Sequence, residues 1–304
     1  MKLAVLLFFG LISGCLVLVQ QEPRPSLSLA LGRSVSDAAP SGSSASIAEP
    51  HVVAGTRKRF EQARSLIQSL PVNEAMQRLA EFFLGSPYLA MSLDQPGLEQ
   101  LRLDLVSFDC MLFVEQLLAT VSAESFEDFA ERTRQLRYRN GEVGYCTRQH
   151  YFHDWVSSAQ AQGLLEQAPV WSGEATRDLP LNFMSSHRAQ YPALQSQDLF
   201  DCIRAREQGR RIKQHYVPLR DLEAALPSVQ SGDIFAVATR VDGLDVSHTG
   251  LLVREGSRVD AIHAAPGRGV MRSRSFASYI RSVPDAIGAV IVRPRKIKQS
   301  PFQN

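Results

Sequence analysis

Apolar residues recur every three or four positions between Thr56 and Leu70, where Phe60, Ala63, Leu66, Ile67 and Leu70 share one side of a helical cylinder and Pro71 ends the run. A second helix is predicted from Asn73, a residue suited to the N-cap, to Leu84, with Gly85 as its stop. The same period returns from Asp109 to Thr120 in Met111, Val114, Leu117 and Leu118, which sets Cys110 in the first turn of a buried helix; another helix follows from about Phe126 to Arg137. Further on, the period shortens to that of strands. Asp233 to Thr239, Val246 to Arg254, Arg258 to Ala264 and Ile287 to Val292 are rich in Val and Ile and are separated by glycine-bearing turns. Residues 141–226 hold no sustained period. A short helix at His150 to Trp155 and a strand at Leu181 to Met184 are their readable pieces, and the stretch is expected to be an insertion rather than a second domain. Helices first and an antiparallel sheet after them make an α+β domain.

The N-terminus follows different rules. Lys2 precedes an unbroken apolar or small run from Leu3 to Val19, the makeup of a secretory leader. Within it Ile12-Ser13-Gly14-Cys15 resembles a lipobox, which would make Cys15 a lipidation site and the chain an exported, membrane-anchored lipoprotein. Leu16 to Val19 stay apolar, so an uncleaved anchor is also open, although 17 residues fall short of the ~20 that a spanning helix needs. From Gln20 the composition turns to Pro, Ser, Ala and Gly, too poor in apolar side chains to fold, and reads as a tether. The expected organisation is leader 1–19, tether 20–54 and one catalytic domain over 55–304. The whole chain's 33 basic residues balance 31 acidic ones, which argues against a nucleic-acid partner. Arg132, Arg134, Arg137 and Arg139 read as a solvated helix face.

Chemistry concentrates on the cysteines and histidines. Of Cys15, Cys110, Cys146 and Cys202, the first belongs to the leader; Cys146 and Cys202 could pair in an oxidising compartment and leave Cys110 a thiol, though spacing alone does not decide connectivity. A cysteine at a helix N-terminus feels partial positive charge that favours thiolate. On the strand Val246 to Arg254, alternation puts His248, Gly250 and Leu252 on one face. If that strand and the next turn symmetrically about Glu255-Gly256, His248 stands directly opposite His263, and a one-residue bulge would part them. Cys110, His248 and His263 then match nucleophile, base and orienting group. The alternatives are an inert buried thiol with two core histidines, or a metal site at His150 and His153 for which no full ligand set is evident.

These residues resemble the NlpC-type family of papain-like cell-wall cysteine peptidases. Gly85-Ser86-Pro87-Tyr88, Asp109-Cys110, Ser231-Gly232-Asp233-Ile234, His248 with Gly250, and His263 follow its motif order. Three longer stretches resemble its specialised N-acetylmuramoyl-L-alanine amidase branch: Phe108 to Glu115, Arg148 to Trp155 and Leu181 to Ser185. Met111 replaces the small residue that usually follows the cysteine, and the insertion is longer than in simple members. The resemblance implies a papain-like core, catalytic Cys110, His248 and His263, and an oxyanion or substrate-binding set of Tyr88, Asp109, His150, Tyr151 and Asn182. It also implies peptidoglycan fragments as partners, a periplasmic location, and no metal or organic cofactor. A stem-peptide endopeptidase, a non-enzymatic wall-binding lipoprotein and a lipid acyltransferase are the alternatives.

Overall fold

The computed structural model describes residues 10–11, 14–15, 49–94, 98–168 and 174–295. The predicted leader, the lipidation of Cys15 and most of the tether lie outside them, apart from the backbone of two paired strands, β1 (Gly10–Leu11) and β2 (Gly14–Cys15). The last residues assigned to the tether are folded: β3 (His51–Val52) runs parallel to β4 (Arg102–Leu103), so the domain starts a few residues before Gly55.

The helical half matches its apolar period closely. α1 (Thr56–Ile67) buries Phe60, Ala63 and Ile67. α2 (Val72–Phe82) starts directly after Pro71 rather than at Asn73, because proline's fixed φ, here −56°, already suits a helix start. α3 (Cys110–Ser122) is capped by Asp109, whose carboxylate accepts from the Leu112 amide at 2.7 Å; α4 (Phe126–Arg137) is capped likewise by Ser125.

In the insertion, α5 (Phe152–Ala161) begins two residues later than predicted and runs further. β5 (Leu165–Gln167) and β6 (Ala175–Pro180) follow. The strand predicted at Leu181 to Met184 is corrected: the Asn182 and Phe183 amides both donate to the Gly243 carbonyl, and the chain coils into the helical turn α6 (Phe183–Ser186). Four apolar-leaning residues carry too short a pattern to separate the two conformations. α7 (Gln197–Glu207), β7 (Arg211–Pro218) and α8 (Leu222–Ala225) lead back to β8 (Ile234–Thr239), β9 (Val246–Glu255), β10 (Arg258–Ala265), β11 (Gly269–Ser273), α9 (Phe276–Ser282) and β12 (Ala286–Pro294).

Eight strands form one sheet in the order β11-β10-β9-β8-β12-β7-β6, with β5 also paired to β12, and every pairing in it is antiparallel. The insertion is therefore built into the main sheet, through β5, β6 and β7. Both faces are covered. On β8, Ile234 and Ala236 join the core under α1 to α4, whereas Phe235 and Val237 join the core under α8 and α9. A strand buried on both sides reads as a continuous apolar run, as β8 does.

The β9–β10 hairpin corrects the predicted register. Glu255 pairs with Arg258 and Leu251 with Ile262, so the turn is Gly256-Ser257 and His263 falls opposite Gly250 rather than His248. Gly256, with φ 62°, supplies the left-handed first position of a two-residue hairpin loop, a conformation glycine adopts without strain. The slip is two positions in the pairing, an even number, so the two histidines keep a common side and become diagonal neighbours.

Candidate functional site

Cys110 opens α3 and is 1% exposed. Its approach is fixed by a strap, Gly85 to Leu89. On one side Gly85 and Ser86 exchange backbone hydrogen bonds with Val270 of β11, each 2.8 Å. On the other, Phe108 donates to the Pro87 carbonyl at 3.0 Å and Leu89 donates to the Phe108 carbonyl at 3.1 Å. Tyr88 is thereby pinned beside the segment that delivers Cys110, half-buried. Gly269 makes the close approach possible: its φ is 74°, and a β-carbon there would stand 2.4 Å from the Ser86 carbonyl oxygen.

Asp109 serves the helix that carries the thiol. It caps α3 from a buried position, and burial pushes its carboxyl up to about 6 against the pull of the Leu112 and Met111 amides.

The histidines are joined. His248 Nε2 lies 2.9 Å from His263 Nδ1, and the rings meet edge to face. A bulge is present after all: between Ala236–Thr249 and Ala238–Val246, β8 has only Val237 where β9 has Ser247 and His248. It falls on His248 itself, re-aims that side chain, and leaves the contact with His263 intact.

Two residues complete the cluster without having been foreseen. Ser273 Oγ sits 2.9 Å from His263 Nε2. Tyr279 of α9 stacks on the His263 ring, centroids 4.5 Å apart, with its hydroxyl 3.4 Å from His263 Nδ1. Burial is the main cause that raises the Tyr279 hydroxyl and an electrostatic interaction with Cys110 adds to it, so the thiol lies within electrostatic reach of Tyr279. The signal for α9 was legible: Ser275, which caps the helix, is followed by Phe276, Ala277 and Ile280 at helical spacing.

Burial holds His263 down at about 4 and, with the nearby His263, keeps His248 well below the usual imidazole range. Both are neutral at pH 7, so each carries one ring proton. When Ser273 accepts from His263 Nε2–H, His263 Nδ1 can accept from His248 Nε2–H, and the lone pair of His248 Nδ1 is left to act as a base. The opposite tautomer removes that base. The arrangement can thus take a proton at His248 and share the resulting charge along His263 and Ser273.

The remaining predicted residues lie in the insertion. His150 and Tyr151 are 5% and 4% exposed. His150 Nε2 is 2.7 Å from the Tyr145 carbonyl, and the Tyr151 hydroxyl donates to Glu207 at 2.5 Å. These bonds place both within the packing of the insertion. Asn182 is half-buried and lies over Gly243, where a β-carbon would meet its side-chain oxygen at 2.3 Å. The insertion reaches the histidine pair through Asp245, three residues before His248. The Asp245 carboxylate accepts from the His153 amide at 2.7 Å and the Val246 amide at 2.9 Å, while Gln214 and Arg177 hold its carbonyl. Cys146 and Cys202 form a disulfide that binds the insertion together, and Cys110 stays outside it.

The fold and site define a mixed α/β domain with an amidase-like architecture. The chain belongs to the AmiA-like family, N-acetylmuramoyl-L-alanine amidase-like, whose model matches residues 78–288, well over half its length. An N-acetylmuramoyl-L-alanine amidase from Bacteroides uniformis is similar at 29% identity and TM-score 0.70, covering 74% of this chain and 99% of that one. A Bacteroides fragilis chain proposed to be a xylanase is similar at 29% identity and TM-score 0.65, covering 71% and 99%. A Legionella pneumophila protein of the DUF1460 family shares the fold at 18% identity and TM-score 0.65, covering 80% and 94%. No curated protein matches the sequence.

Proposed function

We propose that the protein is a cysteine amidase that hydrolyses the bond between N-acetylmuramic acid and L-alanine in peptidoglycan fragments, on a papain-like core of the NlpC type. The observation that carries this reading is the chain of contacts from His248 to His263 to Ser273, with Tyr279 beside His263 and Cys110 within electrostatic reach of Tyr279. The Cys110 thiolate attacks the lactyl carbonyl. The backbone amide of Cys110 and the Tyr88 hydroxyl receive the negative charge that develops on its oxygen. His248, having taken the thiol proton, returns it to the departing amine of L-alanine. It then draws a proton from the water that cleaves the thioester, with His263 holding the productive tautomer throughout.

A glycosidase reading, which the Bacteroides fragilis relative invites, needs two carboxyl groups flanking a sugar bond. Among the described residues no carboxylate is hydrogen-bonded to either histidine, and Asp109 is committed to capping α3. A stem-peptide endopeptidase would use the same cluster and is separated by its products. Purified protein given a disaccharide-peptide should release free disaccharide and an intact stem peptide, and Cys110→Ala should release neither. A shortened muropeptide would establish the endopeptidase instead, and unchanged turnover by Cys110→Ala would overturn cysteine chemistry. The leader composition and Cys15 favour export as an anchored lipoprotein; radiolabelled palmitate incorporation that is lost in Cys15→Ser tests that.

A further inference from the structure

A groove of about 550 Å³ opens in the insertion, within the ~300–1,000 Å³ range of ligand sites. Its walls include Arg139 just after α4, Gln149, His153 and Asp154 at the start of α5, and Arg206 and Arg210 around the end of α7. Arg210 forms a two-pronged pair with Asp154, which cancels one positive charge. Arg206 is held by backbone carbonyls alone, those of Cys146 and Arg148, and Arg139 reaches the Cys146 carbonyl at 3.5 Å. Among the described residues no carboxylate lies within ion-pair distance of Arg139 or Arg206. The Cys146–Cys202 disulfide, whose Cys146 carbonyl both guanidinium groups share, stiffens this wall. Burial and repulsion from Arg139 and Arg210 bring Arg206 down to about 10 against the pull of Asp154 and Glu207, so it remains charged at neutral pH.

The groove is tied to the strand that carries His248. His153 lines it, and the His153 backbone amide is bonded to Asp245, at the end of β9 that presents His248. We infer that Arg139 and Arg206 bind carboxylates of the stem peptide, so that this groove receives the peptide side of the scissile bond. The inference rests on the function proposed above. The sugar side of such a substrate offers hydroxyl and amide groups, whereas the stem peptide carries side-chain and terminal carboxylates. A planar guanidinium with free N–H groups pairs with these in two-pronged fashion.

The test uses the full chain carrying Cys110→Ala, titrated calorimetrically with a free acidic stem tetrapeptide and with the same peptide amidated at its carboxylates. The acidic peptide should bind at least about tenfold more tightly, and Arg139→Gln or Arg206→Gln should erase most of that difference. Arg139→Lys should restore part of it, and unchanged melting temperatures would show that the variants fold. Equal affinity for the two peptides, or a difference that survives both substitutions, overturns the inference. Because binding is read on a protein unable to turn over substrate, a failure of the amidase reading shows separately, as absence of hydrolysis by the unsubstituted chain.

Discussion

Gly250 lies across the hairpin from His263, so close that a β-carbon on it would come within 2.7 Å of the His263 β-carbon, the Ile262 carbonyl oxygen and the Phe235 ring. Two of these neighbours are backbone or the base of a side chain and cannot swing away. Gly250→Ala should therefore displace β10 and cost roughly 1–3 kcal/mol in chemical denaturation. It should also lower kcat more than it raises KM, because His263 moves while the substrate walls do not. A variant of unchanged kcat would show that the pair tolerates displacement.

The serine behind His263 is expected to matter for rate and not for binding. Ser273→Ala leaves Nε2 without its partner and lets the unproductive tautomer compete, so kcat should fall about tenfold or more with KM nearly constant. Ser273→Thr, which keeps the hydroxyl, should recover most of it. Tyr279→Phe retains the stack but loses the hydroxyl, and a smaller fall is expected in the same steady-state assay.

Acid stability carries opposing contributions. His248 and His263 are held below their ordinary value of 6.5, so the unfolded chain binds protons that the native pair refuses. Their contribution is complete above pH 6.5 and declines toward pH 4, by roughly 1.4 kcal/mol per pH unit for each titrating histidine. Asp109 and Asp245, raised from 3.8 to about 6, act the other way. The native state binds their protons first, so stability gains as pH falls from 6 to 4. Asp109→Asn, which preserves the cap, removes one of the offsetting groups. Urea titrations between pH 6 and 4 should show it losing stability more steeply than the unsubstituted chain, and equal slopes would refute the assignment.

The Cys146–Cys202 disulfide closes a 56-residue separation. Chain entropy assigns such a crosslink about 4 kcal/mol. Cys146→Ser with Cys202→Ser should lower the melting temperature and loosen the arginine groove, read as weaker stem-peptide affinity under non-reducing conditions.

Periodicity made the helical half readable: α4 falls on its predicted residues, and α1 and α3 differ by a few positions, because a single buried stripe decides each of them. Strands β8 to β10 were equally plain. What sequence could not convey was pairing. The hairpin register turned on a Gly-Ser loop, and the bulge at His248 leaves no trace in composition. Ser273 and Tyr279 escaped for a related reason, since each gains its meaning from a neighbour distant in the chain. His150 and Tyr151 belong to a recognisable stretch, and the hydrogen bonds seen on them lie within the insertion.

The thiol enters at residue 110, whereas the groups that would activate it lie between residues 248 and 279, and the strap joining the two halves is bonded to β11 at Val270. A growing polypeptide that has not yet reached His248 holds the cysteine without the histidine proposed to activate it. On the proposed chemistry, copies cut short before β9 would be inert, because the thiol and its base are supplied by distant stretches of one domain.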